Sequence, residues 1–305
     1  MKVLFICGLL LSTATGLVAQ AQCPPTGVAV QVLGSGGPFA GTERASSSYL
    51  VWVEGRARVM VDVGGGSFVR FGEAGARLSD LRLLAISHLH PDHVTDLPGL
   101  LWLSDFRREE PLRLVGPSGN EQLPSLLSFL TRLFDPDRGA FPLLSGTLGG
   151  PARGVLLDPF VVDVEVREPR LVLQEPDLEV YALPVHHRNI PALAYRVEVQ
   201  GLSVVFSGDQ NGKEARFIEF SRDATALVMH MAASPSSTSA VLLDRHAPPK
   251  IVGQVAEDAS VGQLILSHFY AHDNPDDLEA GLAEVRSRYN GVIHVSTDLA
   301  CYPLR

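Results

Sequence analysis

The stretch Ile86-Ser87-His88-Leu89-His90-Pro91-Asp92-His93-Val94 decides the fold, because four side chains that can bind metal lie within six residues. Alternate residues of an extended segment face the same side, so His88 and His90 can present two imidazoles to one cation. The proline that follows suits the first turn of a helix, after which Asp92 and His93 project in another direction. Imidazole and carboxylate groups are good zinc ligands. The spacing therefore predicts a centre of two metal ions.

Length and composition indicate one large domain without an affinity for polyanions. The 305 residues are 46% hydrophobic and 19% charged, which is enough apolar material for a large core. The net charge of −9 and the pI near 5.5 give no sign of the clustered positive charge that polyanions need. We therefore expect neither tRNA nor another long nucleic acid to be a partner.

The N-terminus has the pattern of a signal peptide. Met1 and Lys2 form a charged start, residues 3–11 form an apolar run, and Ala19-Gln20-Ala21 offers a cleavage site. A membrane anchor is the alternative, but the run is short for spanning a bilayer. We expect residues 1–21 to be a signal peptide cleaved near Ala21 and residues 22–305 to form a single domain. The mature protein would then be periplasmic or secreted, with no stable membrane insertion.

The three cysteines of the sequence agree with export. Cys7 lies in the predicted signal peptide, which leaves Cys23 and Cys301 as the only pair in the mature chain. Cysteines in an oxidising compartment tend to form disulfides, so these two are predicted to join the ends of the domain. Two free thiols are the alternative.

An HxHxDH motif directly after the apolar run Leu83-Leu84-Ala85-Ile86 resembles the signature of the metallo-β-lactamase-fold hydrolases. The resemblance covers nearly all of the mature chain. The segment Pro191-Ala192-Leu193-Ala194-Tyr195-Arg196, which follows two histidines, is similar to the RNase Z-like and arylsulfatase-like branch. It implies an α/β fold, the four-layer αββα sandwich. The pattern loosens from about residue 120 to 158, where we expect a lid or insertion over the cleft.

The resemblance also implies the ligands of both metals. His186 is assigned as the third histidine of the first metal, with His187 as the fallback. Asp209 would bridge the two cations, and His268 would complete the second site. The predicted metal ligands are therefore His88, His90 and His186 for the first ion and Asp92, His93 and His268 for the second, with Asp209 shared.

Other residues near these motifs are predicted to support the ligands or the chemistry. Asp62 would either orient a ligand from the floor of the site or cap the following helix. His246 is predicted to lie at the edge of the cleft, where it could donate a proton to a leaving group or bind a charged oxygen. Relatives carry a His-Glu-Ala segment where this chain has His230-Met231-Ala232. His230 is therefore expected to pack near the site rather than bind metal.

These features predict a metal-dependent hydrolase. Two divalent cations, with zinc favoured and manganese or iron as alternatives, would share an activated hydroxide, and Asp92 would accept or steer a proton. The arm that RNase Z enzymes insert after the segment matching Tyr195-Arg196 is replaced by the short run 197–202, which argues against tRNA precursors. Zinc β-lactamases lack a bridging aspartate of the Asp209 type, which argues against antibiotics.

The leading prediction is an exported hydrolase of small phosphodiester, phosphonate or sulfate esters. A lactonase or β-lactamase-like hydrolase of a cyclic acyl substrate is the enzymatic alternative. A metal-binding or ligand-binding protein without catalysis, in which Met231 marks the loss of function, is the alternative of another class. The predicted partner is a small ester molecule, and assembly into a homodimer is compatible with the sequence.

Overall fold

The computed structural model describes residues 23–39, 42–102, 110–152, 154–270 and 275–305. The predicted signal peptide, residues 1–21, lies outside this part of the chain. Two seven-stranded sheets carry helices on their outer faces. This arrangement confirms the predicted αββα sandwich.

The first sheet contains strands from the N-terminal half and the last strand of the chain. Its strands are β1 (Val28–Gly34), β2 (Ser48–Val53), β3 (Arg56–Val61), β4 (Leu83–Ala85), β5 (Leu112–Pro117), β6 (Leu157–Val162) and β14 (Cys301–Pro303). They pair in the order β14-β1-β2-β3-β4-β5-β6. The pairs from β14 to β3 are antiparallel, and those from β3 to β6 are parallel.

The second sheet repeats this mixture of directions. Its strands are β7 (Arg170–Glu175), β8 (Leu178–His187), β9 (Ile190–Val199), β10 (Leu202–Phe206), β11 (Ala226–His230), β12 (Gln263–Ser267) and β13 (Val292–Val295). They pair in the order β13-β12-β11-β10-β9-β8-β7. The pairs from β7 to β10 are antiparallel, and those from β10 to β13 are parallel.

Three apolar clusters define the layers. The helices are α1 (Ser67–Glu73), α2 (Pro91–Val94), α3 (Leu97–Trp102), α4 (Leu126–Phe134), α5 (Ala215–Phe220), α6 (Ala240–Arg245), α7 (Pro249–Asp258) and α8 (Pro275–Arg286). One cluster lies between the two sheets. A second packs α1, α3 and α4 on the first sheet, and a third packs α5, α7 and α8 on the second. Burial on both faces of each sheet explains the long apolar runs in the parallel strands.

The segment 120–158 belongs mainly to the folded body, which corrects the expectation of a lid. Leu126, Leu130 and Phe134 recur every four residues on α4 and are completely buried against the first sheet. The start of the segment contacts the turn after β8, where the Asn120 side chain donates to the carbonyl of Asn189 at 2.8 Å.

A disulfide joins Cys23 and Cys301, as the sequence predicted. It connects the segment before β1 to β14, and these two strands are paired neighbours in the first sheet. The bond therefore closes a loop that contains nearly the whole described chain, with a sequence separation of 278 residues. No helix within the described ranges combines the length and apolarity that a bilayer crossing requires.

Reduction of this disulfide should destabilise the protein by about 2 to 5 kcal/mol. The bond restricts the unfolded chain, so its loss raises the entropy of the unfolded state. Denaturant unfolding with and without reductant measures the effect. The Cys23→Ser/Cys301→Ser variant is the control, because its midpoint should equal that of the reduced protein and should not respond to reductant. An unchanged wild-type midpoint in reductant would contradict the expectation.

Candidate metal centre

The site lies where several strands end at one edge of the sandwich. The metal loop follows β4, and α2 begins at Pro91 within it, so Asp92 and His93 leave the extended segment at the start of a helix. His187 ends β8, while Asp209 and His268 follow β10 and β12. In open α/β sheets, the carboxyl ends of parallel strands are the usual place for ligand sites.

The first group of possible metal ligands contains His88, His90, His187 and Asp209. Nε2 of His88 lies 2.9 Å from Nδ1 of His90 and 3.6 Å from Oδ2 of Asp209. Nε2 of His187 lies 3.6 Å from the same carboxylate oxygen. The three histidine rings and the carboxylate therefore converge on one point, and only His90 among them is partly exposed.

The second group contains Asp92, His93 and His268, all of them buried. Nε2 of His93 lies 3.3 Å from Nε2 of His268 and 3.5 Å from Oδ2 of Asp92. Nε2 of His268 lies 3.3 Å from that same oxygen. Asp209 also reaches this group, because its Oδ1 is 3.4 Å from Nε2 of His268. The two groups thus share the Asp209 carboxylate.

These donors fit divalent cations. Ligand atoms that lie about 2 Å from one tetrahedral zinc are about 3.3 Å apart, and most of the separations in both groups are close to that value. Nε2 of His187 is buried without a hydrogen-bond partner, although a buried polar atom normally has one. A bound metal would satisfy that atom. The donor set of imidazoles and carboxylates suits zinc and other first-row metals.

Asp62 orients two of these ligands through Ser87. Its carboxylate accepts hydrogen bonds from the Ser87 amide at 2.7 Å and the Ser87 hydroxyl at 2.8 Å. Its Oδ2 lies 2.8 Å from Nδ1 of His93, and the Ser87 hydroxyl lies 3.0 Å from Nδ1 of His88. Of the two predicted roles the structure selects ligand orientation, since Gly66 rather than Asp62 precedes α1. Such contacts fix the ring orientation of a ligating histidine.

His230 contacts the shared carboxylate of Asp209. Its Nδ1 lies 2.7 Å from Oδ1 of Asp209, and its Nε2 lies 3.1 Å from the Tyr49 hydroxyl. That hydroxyl also donates to Ser267 at 3.0 Å. The ring is thus committed to Asp209 on one side and to Tyr49 on the other, as expected for a group that packs beside the ligands. Met231 is buried in the third apolar cluster.

His246 lies at the rim of the same site. It follows α6, is 4% exposed, and its Nε2 is 3.9 Å from Oδ2 of Asp209. Its ring centroid is 5.2 Å from that of His187 and 5.6 Å from that of Tyr270. His246 therefore lies beside both ligand groups, and its role towards a leaving group stays a prediction.

The assignment of His186 as a metal ligand is wrong. Its Nε2 lies 3.0 Å from Oδ1 of Asp244, on the outer side of β8, and the side chain is 35% exposed. Successive residues of a strand point to opposite faces, so His186 and His187 cannot enter the same cluster. His187, the fallback, is the residue that joins His88 and His90, and its Nδ1 lies 3.0 Å from the Arg245 carbonyl.

Close backbone contacts explain two glycines around the ligands. A Cβ on Gly37 would lie 2.9 Å from Cε1 of His268, and a Cβ on Gly64 would lie 2.2 Å from the carbonyl oxygen of Asp92. Gly37 donates its amide to the carbonyl of Phe269 at 3.0 Å, immediately after His268. The glycine-rich loop after β1 therefore packs against a ligand, and larger residues there would displace it.

Burial and charge set the protonation of the metal-free ligands. Burial lowers the pKa of His187 to about 4, which leaves the ring neutral and able to bind metal near neutral pH. Burial also acts to lower the pKa of His93, but the carboxylates of Asp62 and Asp209 outweigh it and raise that pKa to about 10. Burial raises the pKa of Asp92, but the hydrogen bond from His268 and nearby imidazoles hold it at about 2. Metal binding must therefore displace a proton from His93.

The metal-free protein should lose stability as the pH falls from about 6.5 to about 4. Burial lowers the pKa of His187 and of His230 to about 4, from a usual value of 6.5. The unfolded chain then binds more protons than the folded chain across this window, so the free energy of unfolding falls as the pH falls. Urea unfolding at about pH 7, 5.5 and 4.5, with chelator present, measures this loss of stability.

The His187→Gln variant should show a shallower dependence on pH over the same range. His93 acts with the opposite sign, because its raised pKa gives stability that is present below pH 6.5 and lost as the pH rises through about 10. Unfolding free energies that stay constant between pH 7 and 4.5 would contradict the expectation.

Comparison with known proteins identifies the family. Residues 41–252 match the sequence profile of the metallo-beta-lactamase superfamily. The chain belongs to this superfamily. A ribonuclease Z from Mycolicibacterium paratuberculosis (strain ATCC BAA-968 / K-10) is 30% identical over 283 residues, which cover 89% of this chain and 96% of the relative. This similarity puts the chain in the RNase Z-like branch of metal-dependent hydrolases.

Solved structures of the superfamily share the fold. The metallo-beta-lactamase fold protein YhfI from Bacillus subtilis aligns with a TM-score of 0.69 at 18% identity, covering 90% of this chain and 99% of YhfI. The short form of human tRNase Z aligns with a TM-score of 0.68 at 18% identity, and the alignment covers 91% of this chain and 99% of the tRNase Z chain. Both alignments support the αββα architecture described above.

The exclusion of tRNA and long nucleic acid as partners is wrong. It conflicts with the curated relative, which is named ribonuclease Z, and with the structural neighbour named tRNase Z. The exclusion relied on a net charge of −9 and on a missing arm. Net charge is a sum over the whole chain and does not describe the field around one site. Within this superfamily, membership of the RNase Z-like branch is the stronger evidence.

Arg245 is a residue at this site that the sequence patterns did not single out. It precedes His246, and its carbonyl contacts the ring of His187. Its position directly before the histidine that follows α6 was the available signal. One arginine in a loop has no distinctive spacing, so only the folded chain shows that it lies beside the ligands of this superfamily member.

Proposed function

We propose that the protein is an exported hydrolase of small phosphodiester, phosphonate or sulfate esters that uses two metal ions, zinc by preference. The observation that carries this proposal is the position of Asp209. Its two oxygens lie 3.4 to 3.6 Å from ring nitrogens of His268, His88 and His187, so one carboxylate serves both ligand groups. Two metals held by one carboxylate would supply the paired Lewis acids that in-line displacement at phosphorus uses.

These distances assign the proposed ligands to two metal ions. His88, His90 and His187 would hold one ion, Asp92, His93 and His268 the other, and Asp209 both. Two divalent cations there would supply Lewis acidity and lower the pKa of the attacking water. Asp62 would keep His93 in position through its contact with Nδ1 of that ring.

Two residues of the chain are proposed to handle protons. Asp92 is ionised near neutral pH, because its pKa is held at about 2, so its carboxylate can accept and steer the proton of the nucleophile. His246 faces the opposite side of the cluster and would serve the leaving group. Burial lowers its pKa to about 3, so at neutral pH its ring acts as a neutral hydrogen-bond donor unless an anion arrives.

Export is supported by the cysteines. A disulfide between the two ends of the domain fits an oxidising compartment, where such bonds persist. The predicted cleavage near Ala21 would leave Cys23 close to the mature N-terminus. Comparing the mass of the protein secreted by an expressing cell with the mass of the full chain would test both features.

Metal content and a substrate panel test the proposal together. Elemental analysis of the purified protein should give about two zinc, manganese or iron ions per chain. The panel contains bis-p-nitrophenyl phosphate, p-nitrophenyl sulfate, a lactone, a cephalosporin and a tRNA precursor, which the ribonuclease Z relatives make necessary. Turnover of the first two above the others would support the proposal. Fewer than about two metals, or turnover confined to the lactone, the cephalosporin or the tRNA precursor, would overturn it.

A further inference from the structure

Arg245 brings a positive charge to the rim of the metal centre. It is the last residue of α6, it is partly buried, and its carbonyl oxygen lies 3.0 Å from Nδ1 of His187. The next residue is His246, whose ring lies within 6 Å of His187, His268 and Tyr270. The Arg245 backbone is therefore fixed against the ligand cluster by residues on both sides.

Arg245 lies between residues from both halves of the fold. Its carbonyl contacts His187, whose ring centroid is 5.3 Å from that of His90 in the metal loop. The next residue, His246, has its ring centroid 5.6 Å from that of Tyr270, which follows β12. Arg245 therefore lies where the two halves of the fold meet beside the ligands.

Arg245 has no protein counter-ion among the described residues. Its Nε is buried without a hydrogen-bond partner, and the side chain forms no ion pair with any described residue. The adjacent carboxylate, Asp244, is engaged elsewhere, at 3.0 Å from His186 and 4.0 Å from Arg188. A buried N–H donor of a charged group normally has a hydrogen-bond partner, because a buried donor without one costs free energy. An incoming anion could provide that partner.

The charges of the whole site point the same way. The four positive charges of two divalent cations would be balanced by the carboxylates of Asp62, Asp92 and Asp209 and by the attacking hydroxide, since the histidine ligands would be neutral. Arg245 would then leave the site with one excess positive charge. A neutral substrate would leave this excess uncompensated, whereas an ester with its own negative charge would neutralise it.

We propose that Arg245 binds a charged oxygen of the substrate, so that the site selects an anionic tetrahedral ester, a phosphodiester or a sulfate ester, over a neutral cyclic acyl compound. This inference rests on the proposed hydrolytic function and names its substrate class. Guanidinium groups suit such oxygens, because their planar N–H donors match phosphate geometry. Tyr270, which contacts Phe39 edge-to-face with 4.8 Å between ring centroids, would form the opposite wall of the opening.

The test compares anionic and neutral substrates in Arg245→Gln and Arg245→Lys. With zinc-loaded protein, Arg245→Gln should lower kcat/KM for bis-p-nitrophenyl phosphate by about 10- to 100-fold, the effect of losing a hydrogen bond to a charged group. Most of the loss should be in KM. Activity on a neutral lactone should change by less than about threefold, and Arg245→Lys should recover part of the loss.

Binding of inorganic phosphate separates this inference from the proposed function. Calorimetry on zinc-loaded protein should show phosphate bound about tenfold or more weakly by Arg245→Gln than by wild type. Arg216→Gln is the matched control, because Arg216 pairs with Glu168 on the exposed surface and should leave both measurements unchanged. Thermal unfolding checks that each variant is folded.

The outcomes divide cleanly. If no ester is turned over, the proposed function fails, and phosphate affinity alone decides the role of Arg245. If esters are turned over but Arg245→Gln lowers anionic and neutral substrates equally, or leaves phosphate affinity unchanged, the inference on Arg245 is overturned while the hydrolase stands. Weaker phosphate binding together with a selective loss on anionic substrates supports it.

Discussion

Replacing His187 by alanine should remove one metal ion and abolish turnover, whereas replacing its neighbour His186 should do neither. Nε2 of His187 is buried without a partner and faces Oδ2 of Asp209 at 3.6 Å. Loss of an outer-sphere partner alone costs 10- to 100-fold in metal affinity, so the loss of a ligand should cost at least about 100-fold. Elemental analysis after dialysis, and a zinc titration monitored by calorimetry, measure the change.

His186→Ala is an unusually close control, since the two positions are adjacent on one strand. Its ring pairs with Asp244 at the surface, where both side chains are partly exposed, at 35% and 45%. Exposed pairs of this kind contribute little, so metal content and kcat should stay within about twofold of wild type. If His186→Ala loses metal while His187→Ala keeps it, the assignment made from the structure is wrong.

The pair His186 and His187 shows most clearly what the sequence alone cannot predict. The alternation of β8 requires the two histidines to point to opposite faces, and that much is contained in the sequence. The pattern does not tell which face carries the metals, because both faces of β8 contact apolar layers. The choice depends on where β4 and β10 deliver His88 and Asp209, which is a matter of packing between the sheets. A resemblance alone could only offer both histidines.

Local motifs predicted the parts of the site that lie close together in sequence. His88, His90, Asp92 and His93 come from one loop, and strand alternation followed by a helix start places them correctly. Asp209 and His268 each follow an apolar strand, so the family pattern located them. The cluster itself depends on chain segments more than 175 residues apart meeting at one edge, as for the His93 and His268 rings. Only the fold establishes that meeting.

Two further overturned expectations, the lid and the exclusion of nucleic acid, have related physical causes. A loose pattern of proline and glycine suggested a lid at 120–158, but a four-residue repeat of Leu126, Leu130 and Phe134 inside it buries α4 in the core. A negative net charge suggested that nucleic acid is excluded, but relatives named ribonuclease Z conflict with that. Both expectations relied on an average property, the residue composition of a segment or the net charge of the chain. Packing and binding depend instead on which side chains share a face.

Asp209→Asn should weaken the binding of one of the two metals and lower kcat by on the order of 10³-fold. The carboxylate is 2% exposed, and its oxygens serve both ligand groups. Burial alone would raise its pKa, but the surrounding histidines, His268 first among them, hold the pKa well below the usual range, so it is ionised. An amide of the same size removes the charge that balances both cations, and losses of this magnitude follow when charge stabilisation in a reacting centre is removed.

Asp244→Asn is the matched control, because it makes the same change in a partly exposed aspartate whose carboxylate contacts His186 and Arg188. Asp209→Asn should bind about one metal tightly instead of two, while Asp244→Asn should keep both metals and kcat within about twofold. Thermal unfolding of both variants checks folding, since a buried aspartate that contacts His230 at 2.7 Å also supports the structure. The stability cost could reach about 3 to 5 kcal/mol, because the neighbouring imidazoles lose their compensating charge. A folded Asp209→Asn protein with two metals and wild-type turnover would show that the two ligand groups work independently, and the shared carboxylate would then have no catalytic meaning.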